Sequence, residues 1–541
     1  MGCMMRFAIA LLAVILAAFV PVWGDEGHQH QLTEQEVGSV HFANSCSAEV
    51  QPSFQRGIAL LHSFQYEQTR ATFQEIVKQD PKCAMAYWGV AMSHYHGLWE
   101  NSNVAAGREA IMKAQRAAEE NAMTTARERA YIAALSEIYR DDSADLYTHA
   151  QAFERKMGEV QASYLDDSEA AIFHALTLDI TAPKTDKTFS NQRKCVEILA
   201  PIFAKQPNHP GVAHYIIHCS DNTGLASMAI AAARKYASIA PASAHAHHMP
   251  SHIFTRVGFW DESVQSNIRA RDVAAQAETT STNGEARDQR LHAMDYLEYA
   301  YLQMGRVDDA KAVLQQMMSL APLPGLTLVG DYALAAVPAR HAMELGNWEA
   351  TQHFQARAEG VPWAQAITWM AIGIGASRTK DLARAAEAEK NLARLRDIAT
   401  PMNAYWSKQI EVQRQEVAAW ILHASGKGSE AVKAMTAAAE LEESMDKAPV
   451  TPGPIIPARE MLADLLMQQA RPSEALGEFE AVLRVAPNRF NALWGAAISA
   501  EKAGKIAEAA TYFRRLTEVG AGGKRPELEY ARKKAADVAR N

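Results

Sequence analysis

A spacing of 34 residues recurs in this 541-residue chain and constrains its fold more than any other feature. Ala475 and Phe479 reappear as Ala509 and Phe513, with Pro487 closing the first of these two units. Self-similarity at such a period is typical of arrays in which each unit is one pair of packed helices. The alternation of apolar and polar residues that strands require is essentially missing. The sequence therefore predicts an all-α fold, an α-solenoid of stacked helix pairs.

The units resemble the tetratricopeptide repeat, a helix–turn–helix unit with small, aromatic and proline residues at fixed positions. Gly57, Tyr66, Phe73 and Pro81 occupy positions 8, 17, 24 and 32 of one unit near the N-terminus. In that family glycine is common near position 15, in the turn. The resemblance covers most of residues 50–520. It implies a right-handed solenoid whose first helices line a concave groove with positions 2, 5 and 9.

Four longer segments are also similar to one group of exported bacterial tetratricopeptide proteins. They are HFANSC (41–46), RGIALLHSF (56–64), HHMPSHIF (247–254) and KAPVTPGPIIPARE (447–460). This resemblance implies export and architecture, and it carries no biochemical activity.

The start of the chain has the features of a secretory signal peptide. Arg6 precedes an apolar stretch from Phe7 to Val22, and cleavage is plausible after Gly24. A retained membrane anchor is the alternative, although no second apolar segment approaches the ~18 residues that span a bilayer. The net charge of −8, without a basic run, argues against nucleic acid as a partner. We expect a soluble mature protein that is periplasmic or secreted.

The composition and the repeat register divide the chain into seven segments. They are a signal peptide (1–24), an N-terminal arm (25–49), repeats with a histidine-rich inner face (50–270), degenerate repeats (271–440), a proline-rich connector (441–458), C-terminal repeats (459–520) and a C-terminal helix or tail (521–541).

Two histidine pairs stand one repeat apart. His214 and His218 are four residues apart, as are His248 and His252, and each member recurs after 34 residues. The i, i+4 spacing puts both imidazoles of a pair on one face of a helix. In the register of the resembled repeat the pairs occupy positions 5 and 9. We therefore expect four imidazoles along the inner face of the middle repeats.

Further polar residues extend this row. His245 falls at position 2 of the same helix as the second pair, and His292, Asp295 and Tyr299 fall at positions 2, 5 and 9 one unit later. Packed helices lie about 8–10 Å apart, so neighbouring helices can share one ion at a zinc–nitrogen distance of about 2.0–2.1 Å. We predict one divalent transition metal, Zn, Fe, Mn or Cu, held mainly by the two pairs, with Asp295, His292 and His245 in the same site. The segment HYIIH lacks the glutamate of the zinc-protease motif HExxH.

Two alternatives remain for these histidines: a polar groove that binds a peptide or small molecule without metal, or structural hydrogen bonding. Tyr299 is predicted to line the groove. So is Arg340, which falls at position 9 of a later inner helix and could hold a ligand carboxylate or phosphate. A solvated arginine is the alternative. A second site near the N-terminus could use His62, His94 and His96.

Four cysteines follow the predicted cleavage point, and an exported protein can form disulfides. A bond between Cys46 on the arm and Cys83 at the end of the first clear repeat would pin the arm to the solenoid. Two free buried thiols are the alternative. Cys219 directly follows His218 and is a weaker candidate ligand, and the state of Cys195 is open.

The leading hypothesis is an exported binding scaffold for a protein, peptide or small molecule, with a His/Asp metal centre in its middle repeats. The rival is a metal-dependent hydrolase or oxidoreductase that uses the same groove. A third interpretation is a metal-free scaffold for protein assembly.

Overall fold

Helices account for all the regular secondary structure in the described part of the chain, which contains no strand. The computed structural model describes residues 32–98, 102–140, 145–183, 185–279, 284–320 and 326–540. The predicted all-α class is confirmed. The predicted signal peptide lies outside the described residues. No described helix is long and apolar enough to cross a membrane.

The helices pack in succession along the chain, each pair against the next. In chain order α1 to α27 are Glu34–Val37, Gln51–His62, Tyr66–Gln79, Ala84–Met92, Val104–Glu120, Ala126–Ser136, Leu146–Ser163, Ser168–Ile180, Ser190–Lys205, Pro210–Ser220, Ile230–Ile239, Ala244–His248, Pro250–Val257, Trp260–Ala277, Glu285–Gln303, Val307–Ser319, Leu328–Glu344, Trp348–Thr351, Pro362–Arg378, Leu382–Ala399, Ala404–Ala424, Gly428–Glu443, Ala458–Gln468, Pro472–Val485, Phe490–Lys502, Ile506–Val519 and Pro526–Arg540. From α2 onward they alternate as first and second members of pairs, with α12 and α13 together acting as one first member. The connector is the loop of residues 444–457 between α22 and α23.

An aromatic ring packed on a small residue holds neighbouring helices together. Phe73 of α3 lies against Gly57 of α2, where an added Cβ would be 2.9 Å from the ring. Phe73 also lies against Gly89 of α4, and Phe479 of α24 lies against Gly495 of α25 in this second way. Both rings are fully buried. A larger side chain at any of these glycines would push the helices apart, because protein interiors leave no spare volume.

The turn inside a pair uses left-handed backbone. Gly258, Gly305 and Gly504 occupy this turn in three pairs with φ between +65° and +78°. Phe64 takes the corresponding turn between α2 and α3 with φ +54°. A non-glycine residue in this region costs about 1–3 kcal/mol. Phe64 therefore keeps a strained backbone where several turns have glycine, as Lys380 and Ala470 do in two later pairs.

The N-terminal arm is attached to the array by core packing and by a cysteine pair. Phe42 is fully buried, with its ring 5.8 Å from that of Phe54 and 5.1 Å from that of Tyr131. Cys46 and Cys83 form a disulfide in the structure, with their Cα atoms 4.7 Å apart. That distance is usual for a bonded pair.

The C-terminal repeats pack against the middle ones. The indole nitrogen of Trp260 donates to the carbonyl oxygen of Asn488 at 2.9 Å. The backbone nitrogen of Phe490 donates to the side-chain oxygen of Gln303, the last residue of α15, at 3.0 Å. The inner side of α15 is therefore covered by the chain itself. This differs from the open groove that the repeat resemblance implies at this point.

We predict that Cys46 and Cys83 are bonded in the native protein and that Cys46→Ser loosens the arm. The bond closes a loop of 37 residues and should contribute about 3–4 kcal/mol through the unfolded chain. Peptide mapping without reduction should recover the linked peptides, and Cys46→Ser should speed amide exchange across residues 38–50. Cys195→Ser, which lies outside the arm, is the control and should leave that exchange unchanged. Two free thiols in the wild-type map would contradict the prediction.

Candidate metal centre

Six histidines of the middle repeats meet in the protein interior. They are carried by α10, α12, α13 and α15: His214, His218, His245, His248, His252 and His292. None is more than 7% exposed. Pro250, which lacks an N–H, separates α12 from α13, yet the backbone at Met249 stays helical with φ −53° and ψ −36°. The second pair therefore keeps its i, i+4 geometry across the break.

The histidines form two groups of three. The first triad is His214, His218 and His245. The second triad is His248, His252 and His292. Within each triad, one ring nitrogen from every residue lies within 4.8 Å of the others. The sequence predicted one ion shared by the two pairs, but the structure places the pairs in separate triads. The reason is that the position-2 histidine of each inner helix, His245 or His292, lies against the histidine pair of the helix before it.

A hydrogen bond fixes which ring nitrogen of His248 carries the proton. Its Nδ1 lies 2.7 Å from the side-chain oxygen of Asn267. The amide nitrogen of Asn267 donates to the carbonyl oxygen of Ser263 at 2.8 Å, which identifies the other amide atom as the acceptor. Nδ1 of His248 therefore donates, and Nε2 of the neutral ring keeps its lone pair.

The same reasoning applies to His252. Its Nδ1 lies 2.8 Å from Oδ2 of Asp221. Burial raises the pKa of Asp221, but Lys447 and Arg256 outweigh burial and hold that pKa well below its usual range. The carboxylate can only accept, so Nδ1 of His252 donates and its Nε2 keeps the lone pair. This Nε2 lies 2.9 Å from Nε2 of His248.

Two lone pairs that face each other at 2.9 Å repel, and a cation between them removes the repulsion. An added proton would serve only if one ring became an imidazolium. Burial lowers the pKa of both His248 and His252, which disfavours that state. The arrangement suits a metal ion bound through both Nε2 atoms, because a metal-binding histidine usually donates its other ring N–H to an acceptor that orients the ring.

The connector closes one side of the second triad. Asp221 pairs with Arg256 at 2.9 Å and with Lys447 of the connector at 2.8 Å. The hydroxyl of Tyr296 donates to the carbonyl oxygen of Thr451 in the connector at 2.9 Å. The Tyr296 ring lies 4.8 Å from two rings of the second triad. The proline-rich segment is thus part of the site's wall.

The first triad is also oriented by a backbone acceptor. Nδ1 of His214 donates to the carbonyl oxygen of His62 at 2.6 Å, and its Nε2 lies 2.9 Å from Nε2 of His245. Within the described residues, Nε2 of His218 has no hydrogen-bond partner. The Phe64 ring lies 4.5, 5.5 and 5.6 Å from the three imidazoles. Burial holds the pKa of all three histidines well below the ordinary value, so the rings are neutral.

His62 belongs to a separate network. Its Nε2 lies 2.9 Å from Glu169, which also contacts Nε2 of His209 at 2.9 Å. Nδ1 of His62 lies 2.9 Å from the hydroxyl of Tyr215. Both ring nitrogens of His62 are therefore satisfied by the protein. His94 and His96 join no group of three potential ligands among the described residues.

Asp295, Arg340 and Tyr299 lie in a buried ion-pair network rather than in a groove. The Asp295 carboxylate pairs with Arg340 of α17, and neither side chain is exposed. The Tyr299 hydroxyl accepts from Arg489 at 3.3 Å. Asp295 follows His292 by three residues on α15, but its carboxylate contacts α17 and belongs to neither triad. The predicted metal role of Asp295 and the predicted groove roles of Tyr299 and Arg340 find no support in this geometry.

Cys219 bonds to Cys195, with their Cα atoms 6.3 Å apart, so its sulfur is not available as a ligand. Sequence reasoning missed the residues that orient the rings. Asp221 stands three residues after His218, and this short spacing was a usable signal. Asn267 lies on α14, and nothing in its sequence context marks it.

Comparisons with known proteins support the repeat assignment at the C-terminal end. A family model described as tetratricopeptide repeat matches residues 460–524. No curated protein matches the chain. The crystal structure of yeast Tom70 aligns with 75% of this chain and 96% of its own length, at 13% identity and a TM-score of 0.32, and a superposition this loose supports no inference.

We predict that Asp295→Asn lowers stability and leaves the metal content unchanged. The change removes the charge that faces Arg340 in the interior, and breaking such a pair costs about 3–5 kcal/mol. Denaturant unfolding and elemental analysis of the same samples would measure both effects. Asp308→Asn is the control, because the Asp308–Lys524 pair is 73% and 78% exposed and should contribute little. Loss of metal without loss of stability would contradict the prediction and show that Asp295 contributes to the metal site.

Proposed function

We propose that this protein is an exported tetratricopeptide-type scaffold that binds a protein partner and holds a transition-metal ion at the second triad. The array of helix pairs and the family match over residues 460–524 support the scaffold, since such arrays present extended surfaces to other proteins. The leader-like N-terminus and two disulfides support export, because disulfides are rare in cytosolic proteins.

One observation carries the metal proposal: the contact between Nε2 of His248 and Nε2 of His252 at 2.9 Å. Structural hydrogen bonding would need one of these nitrogens to carry a proton. Asn267 and Asp221 hold the ring protons on the Nδ1 atoms instead. A cation is the remaining partner that both lone pairs can share.

The ligand set narrows the choice of metal. Within the described residues the second triad offers three imidazoles, and no carboxylate joins the group. Imidazole suits zinc, copper and iron, whereas manganese prefers oxygen ligands. We therefore favour zinc, copper or iron among the predicted metals.

A metal-dependent hydrolase or oxidoreductase is the second candidate. Three protein ligands leave one coordination position open, as catalytic zinc sites do, while structural sites fill four. The Tyr296 hydroxyl lies 3.4 Å from Nδ1 of His252 and is a group that could move a proton near the ion. Binding of azide or cyanide to cobalt(II) substituted into the site, followed by absorption spectroscopy, would favour the enzyme. An ion closed to such anions would favour the scaffold.

The metal proposal is tested by elemental analysis of protein purified from its own cells without added metal. We expect at least one equivalent of transition metal in the wild type, and one equivalent fewer in the double variant His248→Ala/His252→Ala. Removing the metal with a chelator should lower the thermal midpoint, because an ion present at a hundred times its Kd contributes about 2.7 kcal/mol.

His247→Ala is the matched control for that experiment. His247 lies in α12 beside His248, stands in neither triad, and contacts the carbonyl oxygen of Pro241 through Nε2 at 3.0 Å. It should keep the wild-type metal content. A wild type without transition metal would contradict the proposal, and so would a double variant with unchanged content.

We predict that Asn267→Ala weakens binding at the second triad without removing a ligand. His248 would lose the acceptor that holds its proton on Nδ1, and the loss of such orienting partners costs about 10–100-fold in metal affinity. Competition with a chromogenic chelator would measure the change. Asn491→Ala, at a half-buried asparagine that contacts Glu344 instead, should leave the affinity unchanged. Equal affinities for the two variants would exclude the orienting role of Asn267.

A further inference from the structure

We propose that the first triad binds a second ion, so that the chain holds two copper ions in neighbouring three-histidine sites. This inference rests on the proposed function, since it takes the second triad to be a metal site.

The two triads have the same arrangement of residues, which recurs from one repeat to the next. Each takes an i, i+4 pair from one inner helix and a third histidine from the next inner helix. The pairs are offset by 34 residues, whereas the third histidines, His245 and His292, are offset by 47 because an insertion precedes α15. Despite the insertion, His292 lies against His248 and His252 as His245 lies against His214 and His218. Whatever the second triad binds, the first triad reproduces its ligand types and their connectivity.

The first triad also presents nitrogen lone pairs to its centre. The carbonyl oxygen of His62 can only accept, so Nδ1 of His214 carries the proton and Nε2 keeps its lone pair beside His245. His218 is 7% exposed, and its Nε2 has no hydrogen-bond partner in the part of the chain that the structure describes. A buried ring nitrogen without a hydrogen-bond partner can serve as a ligand for a metal ion.

Neighbouring side chains orient and cover the imidazoles of the first triad. His62, which orients His214, is itself fixed by Glu169 and Tyr215. Phe64 lies against all three imidazoles. It takes φ +54° in the turn of its pair, as Lys380 and Ala470 take positive φ in the turns of two later pairs. The ring of Phe64 shields the triad from water.

Proximity and charge favour copper in its monovalent state. His245 and His248 are i, i+3 in α12, which places their Cβ atoms about 5–6 Å apart and makes the two sites neighbours. Asp221, the carboxylate bonded to the second triad, already pairs with Arg256 and Lys447. Two divalent ions would add four positive charges to this buried region, while two copper(I) ions add two. Among zinc, copper and iron, copper is the metal with a common monovalent state.

The experiment titrates metal-free protein with copper(I) under anaerobic conditions, and in parallel with zinc(II), and counts the bound metal by elemental analysis after desalting. We expect two equivalents of copper in the wild type. His218→Gln and His292→Gln should each retain one equivalent, because each removes one ligand from a different triad. His247→Gln should retain two. Circular dichroism of every variant checks that the fold is kept.

The outcomes separate this inference from the proposed function. One equivalent in the wild type that is lost in both single variants would show one shared centre, which overturns the inference and leaves the proposed function standing. No binding of either metal would overturn both. Two equivalents of zinc without copper binding would overturn the choice of copper, and two equivalents in His218→Gln would overturn the first triad as a site.

A second variant tests the first triad without removing a ligand. Phe64→Gly suits the left-handed turn and uncovers the three imidazoles. We expect a copper(I) chelator to remove one of the two ions several-fold faster than in the wild type, with the other ion unaffected. Equal acceleration of both ions, or of neither, would contradict the role of Phe64 at the first triad.

Discussion

The contact between an aromatic ring and a small residue of the adjacent helix sets the geometry on which the rest of the structure depends. Phe73 against Gly89 and Phe479 against Gly495 show the same contact, from one pair to the next, at the two ends of the array. Because the pairs pack in the same way along the array, equivalent positions of successive first helices fall into rows. One such row is polar in the middle repeats, and it brings the histidines together. The candidate metal centre is therefore a consequence of how the core packs.

Polar residues on the inner helices must find partners inside the protein, because the connector and the C-terminal repeats cover them. Arg489 pairs with Glu344 and Glu460, each at 2.6 Å, and Arg340 pairs with Asp295. Buried pairs of this kind add little net stability, but removing one partner is costly, so they specify how the segments dock. Side chains of opposite charge face one another there, whereas each triad brings together three imidazoles.

The sequence predicted the helix-pair array and the row of histidines, because both depend on spacing along the chain. The turn at Gly258 and the pair His248/His252 could be placed from the repeat register alone. The division into two triads could not, since it depends on how far each helix is displaced relative to the next. Nor could the partner of Asp295, because Arg340 is 45 residues away and reaches it only after α15 and α17 pack. The covering of the inner face depends on contacts such as Trp260 with Asn488, which no local pattern encodes.

Structural hydrogen bonding and metal binding make different demands on a buried histidine. A neutral ring carries one donor and one acceptor, and His62 meets that demand with Glu169 and Tyr215. His248 and His252 have used their only donors on acceptors away from each other, so protein groups satisfy one side of each ring and leave the lone pairs face to face. If an ion fills that space, its open coordination position decides between scaffold and enzyme. The connector lines one side of that space and runs directly into α23, at the start of the repeats that match the family model. The wall of the second triad and the repeats that match the family model are therefore consecutive parts of one packed segment.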